Sequence, residues 1–215
     1  MKKSKALILA MCAIVVMVGS VLGTLAFLTD RDTVVNTFTV GNVDIEVDEA
    51  DVDLNGEPTG GSRVKENKYH LIPGSTYIKD PTMTVKSGSE EAYVRMLVKI
   101  NCMAELDAIF APQGADLLSI FNGHDAATWL YEGVERDAAS NTVTYEFRYK
   151  EPVAPGSTDV DLDALFDSIT VPGFVSGEDL ETVKDLEISV VGHAIQKANL
   201  ADEDAAWAAF DNQMQ

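Results

Sequence analysis

Three runs along the chain alternate apolar and polar residues with a period of two. Over residues 92–102, Val94, Met96, Val98, Ile100 and Cys102 fall on one side of a pleated strand and Tyr93, Arg95, Leu97 and Lys99 on the other. That is the pattern of a strand with one face in a core. Over residues 141–150, Val143, Tyr145, Phe147 and Tyr149 alternate with Thr142, Thr144, Glu146 and Arg148, as in an antiparallel sheet with one wet face. Residues 185–197 repeat the pattern with Leu186, Ile188, Val190 and Ala194, and Gly192 within them marks either a bulge or a close backbone approach. Shorter strands are predicted at 33–39, 42–47, 76–78, 82–86, 129–133 and 168–171.

Pro73-Gly74, Pro155-Gly156 and Pro172-Gly173 punctuate these runs as turns. Helical signal is minor: short helices at 104–110 and 116–121, and one turn at 162–166. The tail, residues 199–215, reads as an Ala-rich C-terminal helix. Asn199 or Asp202 would cap it, and Trp207 and Phe210 would dock it. Residues 48–67, acidic and then glycine-rich, read as an exposed loop. Many short strands with few helices predict an all-β fold, an antiparallel β-sandwich of jelly-roll-like form with short helical insertions and a C-terminal helix. The parts are residues 1–26, an N-terminal strand segment at 27–47, the sandwich at 48–198 and the tail at 199–215.

Lys2, Lys3 and Lys5 precede an apolar run that ends in small residues and glycines, the three-part form of a secretory signal. Thr24 and Ala26 make the processing site, with Phe27 first in the mature chain. Retained instead, the same stretch is long enough to anchor the chain in a bilayer. Either way the remainder is exported. Cys12 lies in the signal, and the preceding Met11 is too large for a lipobox. The exported part keeps only Cys102, read as a small buried apolar residue or, alternatively, a free thiol.

The 215 residues carry a net charge of -19, which repels phosphate backbones and excludes nucleic acid as a partner. His70, His124 and His193 are dispersed and form no HExxH pair, and no nucleophile elbow, phosphate loop or dinucleotide fingerprint is present. One stretch opens like a calcium loop: Asp51, Asp53, Asn55 and Gly56 match D-x-D-x-N-G, but the twelfth position is Ser62 instead of a bidentate glutamate. Calcium is therefore the one candidate cofactor, and a solvated acidic loop is the alternative. Asp159, Asp161 and Asp163 form a second acidic cluster that either caps a helix or faces water.

Residues 27–47 carry no catalytic signature, yet they are patterned. Val34, Val35, Phe38 and Val40, then Val43 and Ile45 after a Gly41-Asn42 turn, make an extended β-prone segment. It is either the first hairpin of the sandwich or a strand that adds itself to a sheet edge, in its own molecule or the next.

Four blocks resemble the TasA/camelysin family of secreted bacterial proteins: GTLAFLTDRDTVVNTFTVGNVDI at 23–45, IPGSTYIKDPTMTV at 72–85, EEAYVRMLVKI at 90–100 and ISVVGHAIQ at 188–196. The resemblance implies a jelly-roll sandwich exported by a Gram-positive-type bacterium through a dedicated signal peptidase and deposited at the cell surface or in the biofilm matrix. It also implies a homopolymeric fibre in which each subunit donates its freed N-terminal strand, here residues 27–47, to the next, alongside other matrix or surface components. Camelysin-like members imply metallopeptidase activity, but no zinc motif stands under it here and no catalytic residue is carried over. Residues 101–135 and the tail lie outside the resemblance. Three functions follow: a fibre subunit, a secreted metallopeptidase, and a monomeric calcium-stabilised adhesin or binding module.

Overall fold

The three alternating runs become three neighbouring strands in the computed structural model, which describes residues 29–32 and 43–213. Strand β5 (Ala92–Ile100) is central. It pairs antiparallel with β11 (Ile188–Gln196) on one side, from Ile188 opposite Ile100 to Gln196 opposite Ala92. On the other side it pairs with β8 (Thr142–Tyr149). The edges are β7 (Trp129–Asp137) beyond β8 and β1 (Thr29–Asp32) beyond β11, so the five-stranded sheet runs β1-β11-β5-β8-β7.

Two three-stranded sheets face it. One orders β2 (Ile45–Asp48), β4 (Thr82–Val85) and β9 (Val160–Asp161); the other orders β3 (Thr76–Ile78), β10 (Ser168–Thr170) and β6 (Phe121–Asn122). Their inward residues, among them Ile45, Met83, Val85, Tyr77 and Ile169, form one cluster with Val94, Met96, Val98 and Ile100 of β5 and Val143, Tyr145 and Phe147 of β8. Every strand pair is antiparallel and the fold is an all-β sandwich. Trp129 is fully buried, with its indole N–H donated to the Asp163 carbonyl at 2.9 Å. Helices α1 (Met103–Phe110) and α2 (Gly177–Thr182) are insertions, and α3 (Glu203–Gln213) is C-terminal.

Gly192 marks a close approach and not a bulge, since the β11 to β5 register runs through it unbroken. A Cβ there would lie 2.5 Å from Val47 Cγ2 and 2.7 Å from Met83 Cε. The absent side chain lets the β2-β4-β9 sheet settle on β11.

Four local readings need correction. Residues 162–166 form no helical turn: Leu162, Leu165 and Phe166 are buried at helical spacing, but the Leu162 and Leu165 N–H groups bond to the carbonyls of Met83 and Pro81. Helix α2 went unpredicted, although Ser176 and Asp179 close a reciprocal capping box around its start. Strand β5 stops at Ile100 because Asn101 turns to bridge the Asp185 carbonyl and the Glu187 N–H. Cys102 then takes a left-handed conformation (φ 55) at the start of α1 and is only half-buried; burial, with Glu105 and Asp185 nearby, pushes its thiol pKa up.

Candidate functional site at the N-terminal strand

The segment 27–47 divides in the structure. Its far end belongs to the chain's own core: Val43 is 1 % and Ile45 4 % exposed, and β2 pairs with β4 from Ile45 opposite Val85 to Asp48 opposite Thr82. Its near end, β1, lies on the outer edge of β11, with Thr29 opposite Ile195, Asp30 opposite Ala194, Arg31 opposite His193 and Asp32 opposite Gly192. Val34, Val35, Phe38 and Val40 lie outside the described residues, as do Thr24, Ala26 and Phe27 of the processing site.

The outer face of β11 next to that pairing is covered by α3. Asp202 caps the helix through its carboxylate, which accepts the Ala205 N–H at 2.8 Å, and Trp207 and Phe210 turn inward. With Ala206 and Ile195 they form a small cluster separate from the main core, flanked by Tyr93 and Leu200. Arg95, assigned by alternation to the polar face, is 3 % exposed beneath this helix. Its guanidinium lies 4.5 Å from the centre of the Trp207 ring and 5.2 Å from that of Phe210. Arg95 Nε donates to His193 Nδ1 at 3.2 Å, and both terminal nitrogens reach Asp211. His193 stacks on Phe210 with ring centres 4.6 Å apart. Arg148 adds a bond to Asp204 at 2.7 Å. The one sequence signal for this arrangement is an arginine and a histidine on the polar sides of two apolar strands that register places opposite one another.

The opposite edge of the sheet is built to discourage pairing. Strand β7 exposes Leu130, Tyr131 and Val134, but its register shifts between Tyr131 and Gly133, and Glu132, Glu135 and Asp137 lie along it. A bulge and like charges are standard protection for an open edge.

No family model, curated protein or solved structure matches this chain.

The calcium candidate folds as a self-bonded loop. The Asp53 carboxylate accepts the N–H groups of Asn55 at 2.8 Å and Glu57 at 3.1 Å, which hold its carboxyl below the ordinary aspartate value; Asp51 accepts the Thr59 hydroxyl. The three histidines sit on separate elements. His70 is exposed before β3, His124 bonds the Trp129 carbonyl at 2.8 Å, and His193 lies under α3. Among the described residues no group of three or more His, Cys, Asp or Glu side chains is placed to hold a metal ion. An apolar cavity of about 50 Å³ between α1 and α2 is lined by aliphatic and aromatic side chains such as Phe110, Val171 and Val175, with no titratable group. No helix among the described residues is long and apolar enough to cross a membrane.

Proposed function

We propose that the chain is a secreted structural protein of the cell surface or extracellular matrix, a fibre subunit that assembles by passing its N-terminal strand to a neighbour. The observation that carries this reading is the place of β1: four residues at a sheet edge, separated by residues 33–42 from a β2 that is fixed in the core. An equivalent strand from another copy would satisfy the same β11 backbone groups, so exchange conserves the hydrogen bonds and alters only the connection. Passed head to tail, such a contact does not close on itself and gives a filament. Strand donation also limits the transferable segment to residues before Val43, shorter than the 27–47 that the pattern suggests.

The remaining features agree with this role. Removal of a leader just before β1 would free the strand only after export, and the resemblance of residues 23–45 to the TasA/camelysin family points the same way. The strong negative charge, -19 for the whole chain and more negative once the leader's three lysines are removed, opposes lateral clumping, and because the repulsion is screened over about 8–10 Å at physiological ionic strength, assembly quickens as salt is raised. The test is electron microscopy of the exported form beside a version lacking residues 27–40. Filaments from the first and not from the second are expected; filaments from both would place the contact elsewhere on the body.

A further inference from the structure

Glu49, Asn67 and Lys79 meet where the acidic loop after β2 lies against the end of β3. Glu49 and Lys79 are 6 % and 7 % exposed. Lys79 Nζ donates to Glu49 Oε2 at 2.6 Å, and Asn67 Nδ2 donates to the other oxygen, Glu49 Oε1, at 3.0 Å. One carboxylate therefore holds an amine and a carboxamide side by side. Asn67 Nδ2 also donates to the Ala50 carbonyl at 2.7 Å, and Asn67 Oδ1 accepts the Val52 N–H at 3.1 Å, which orients the amide with its oxygen on a backbone donor. Tyr69 walls the site. Its hydroxyl donates to the Ile78 carbonyl at 3.0 Å, and burial together with the Glu49 carboxylate raises its pKa, so it remains a neutral phenol.

A buried ion pair between two flexible side chains is costly to desolvate and is weak evidence for stability alone. An amine, a carboxamide and a carboxylate bridging them are, however, the complete set of groups for amide exchange. We propose that Lys79 and Asn67 become joined by an intramolecular isopeptide bond, with Glu49 as the catalytic acid and base.

In the first step the proton between Lys79 and Glu49 moves to Oε2, leaving a neutral amine and a neutral acid, a change that removes two charges from a dry site. The Nζ lone pair then attacks Asn67 Cγ, and the carbonyl π pair moves onto Oδ1, where the Val52 N–H stabilises the oxyanion. On collapse the Cγ–Nδ2 bond breaks. Nδ2 takes the proton held by Glu49, the attacking nitrogen returns one proton to the carboxylate, and ammonia leaves as ammonium with that proton. The balance is one lysine ammonium and one carboxamide giving one secondary amide and one ammonium ion, with Glu49 regenerated and no oxidant needed. The product pins the acidic loop covalently to the body of an exported domain whose described residues hold a single, unpaired cysteine.

The experiment is the intact mass of the purified mature protein, referred to its own measured N-terminus, followed by tryptic mapping. The expected result is a mass one ammonia below that of the sequence, with the Asn67 and Lys79 peptides recovered as one branched species. Glu49→Gln and Lys79→Met are each expected to restore the full mass. A wild-type protein of full mass with the two peptides separate overturns the proposal, as does an ammonia loss mapped to a succinimide at Asn55-Gly56. The wild-type reading needs no variant, so it is decisive even where a substituted chain fails to fold.

Discussion

Truncating Phe210 to alanine tests what holds α3 on the sheet. Phe210 is fully buried, stacks on His193, meets Trp207 edge-on at 5.7 Å and lies under the Arg95 guanidinium. Deleting a buried phenyl ring costs about 3–5 kcal/mol in a closed core. This cluster is separate from the main core, so α3 can detach alone and the loss is capped at its docking free energy. Two buried aromatics contribute roughly 3–6 kcal/mol to that docking. Phe210→Ala therefore removes about half of it or more, and a chain ended at Ala198 falls at most about 3 kcal/mol further, the share left to Trp207. For a domain this size a loss of about 3 kcal/mol lowers Tm by about 6–12 °C. Asp204→Ala is the control: Asp204 bonds Arg148 but is 89 % exposed, and pairs of that kind contribute below about 1 kcal/mol. Thermal unfolding by circular dichroism, with limited proteolysis to report release of the tail, reads all three. A Phe210→Ala chain within about 2 °C of wild type, or an Asp204→Ala loss as large as that of Phe210→Ala, would refute the ranking by burial.

Gly192→Ala puts a methyl into space already filled by Val47 and Met83, and overpacking of this kind costs about 1–3 kcal/mol; a denaturation midpoint equal to wild type would show that the β2-β4-β9 sheet does not lie that close to β11. Acidification has a predictable sign. Glu46, bonded to Lys86, and Asp159, accepting the Ser87 N–H, have carboxyl pKa values below their ordinary 4.5 and 3.8. Their contribution is complete above those unfolded-state values and is lost as pH falls through the lower folded ones. Self-repulsion of a chain at -19 eases as pH drops from neutral, so Tm rises from pH 7, passes a maximum near about pH 5 and falls below about pH 4. A Tm that climbs steadily down to pH 3 would contradict the carboxylate bonding.

Where one period decided the structure, the strands were legible: β5, β8 and β11 follow from alternation, and even the three residues of β3 were bounded correctly between turn signals. Misreadings arose where the same pattern serves two backbones. Leu162, Leu165 and Phe166 have helical spacing, yet the N–H groups of Leu162 and Leu165 bond to the distant carbonyls of Met83 and Pro81, and only tertiary structure says so. Arg95 is a charge on the polar side of a strand, and its burial depends on a helix arriving from more than a hundred residues away. The triad of Glu49, Asn67 and Lys79 was invisible for a similar reason. Its members are ordinary polar residues in a loop, brought together by the bridge pairing Glu49 with Val64 and by β3. Arg63 was equally silent, and it ties that loop down through Asp80 at 2.9 Å and Thr82 at 2.9 Å.

The central claim is that β1 can belong to a neighbour's sheet, and a disulfide trap tests it most directly. Thr29 and Ile195 are opposite partners in the β1 to β11 register, so Thr29→Cys with Ile195→Cys, in a Cys102→Ala background, places two thiols across that pairing. The exported protein is concentrated, oxidised and run on a denaturing gel without reductant. Strand donation predicts a ladder of covalent multimers that reductant collapses to one band. A single monomer band, with the disulfide mapped within one chain under every assembly condition, would show that β1 serves only its own sheet.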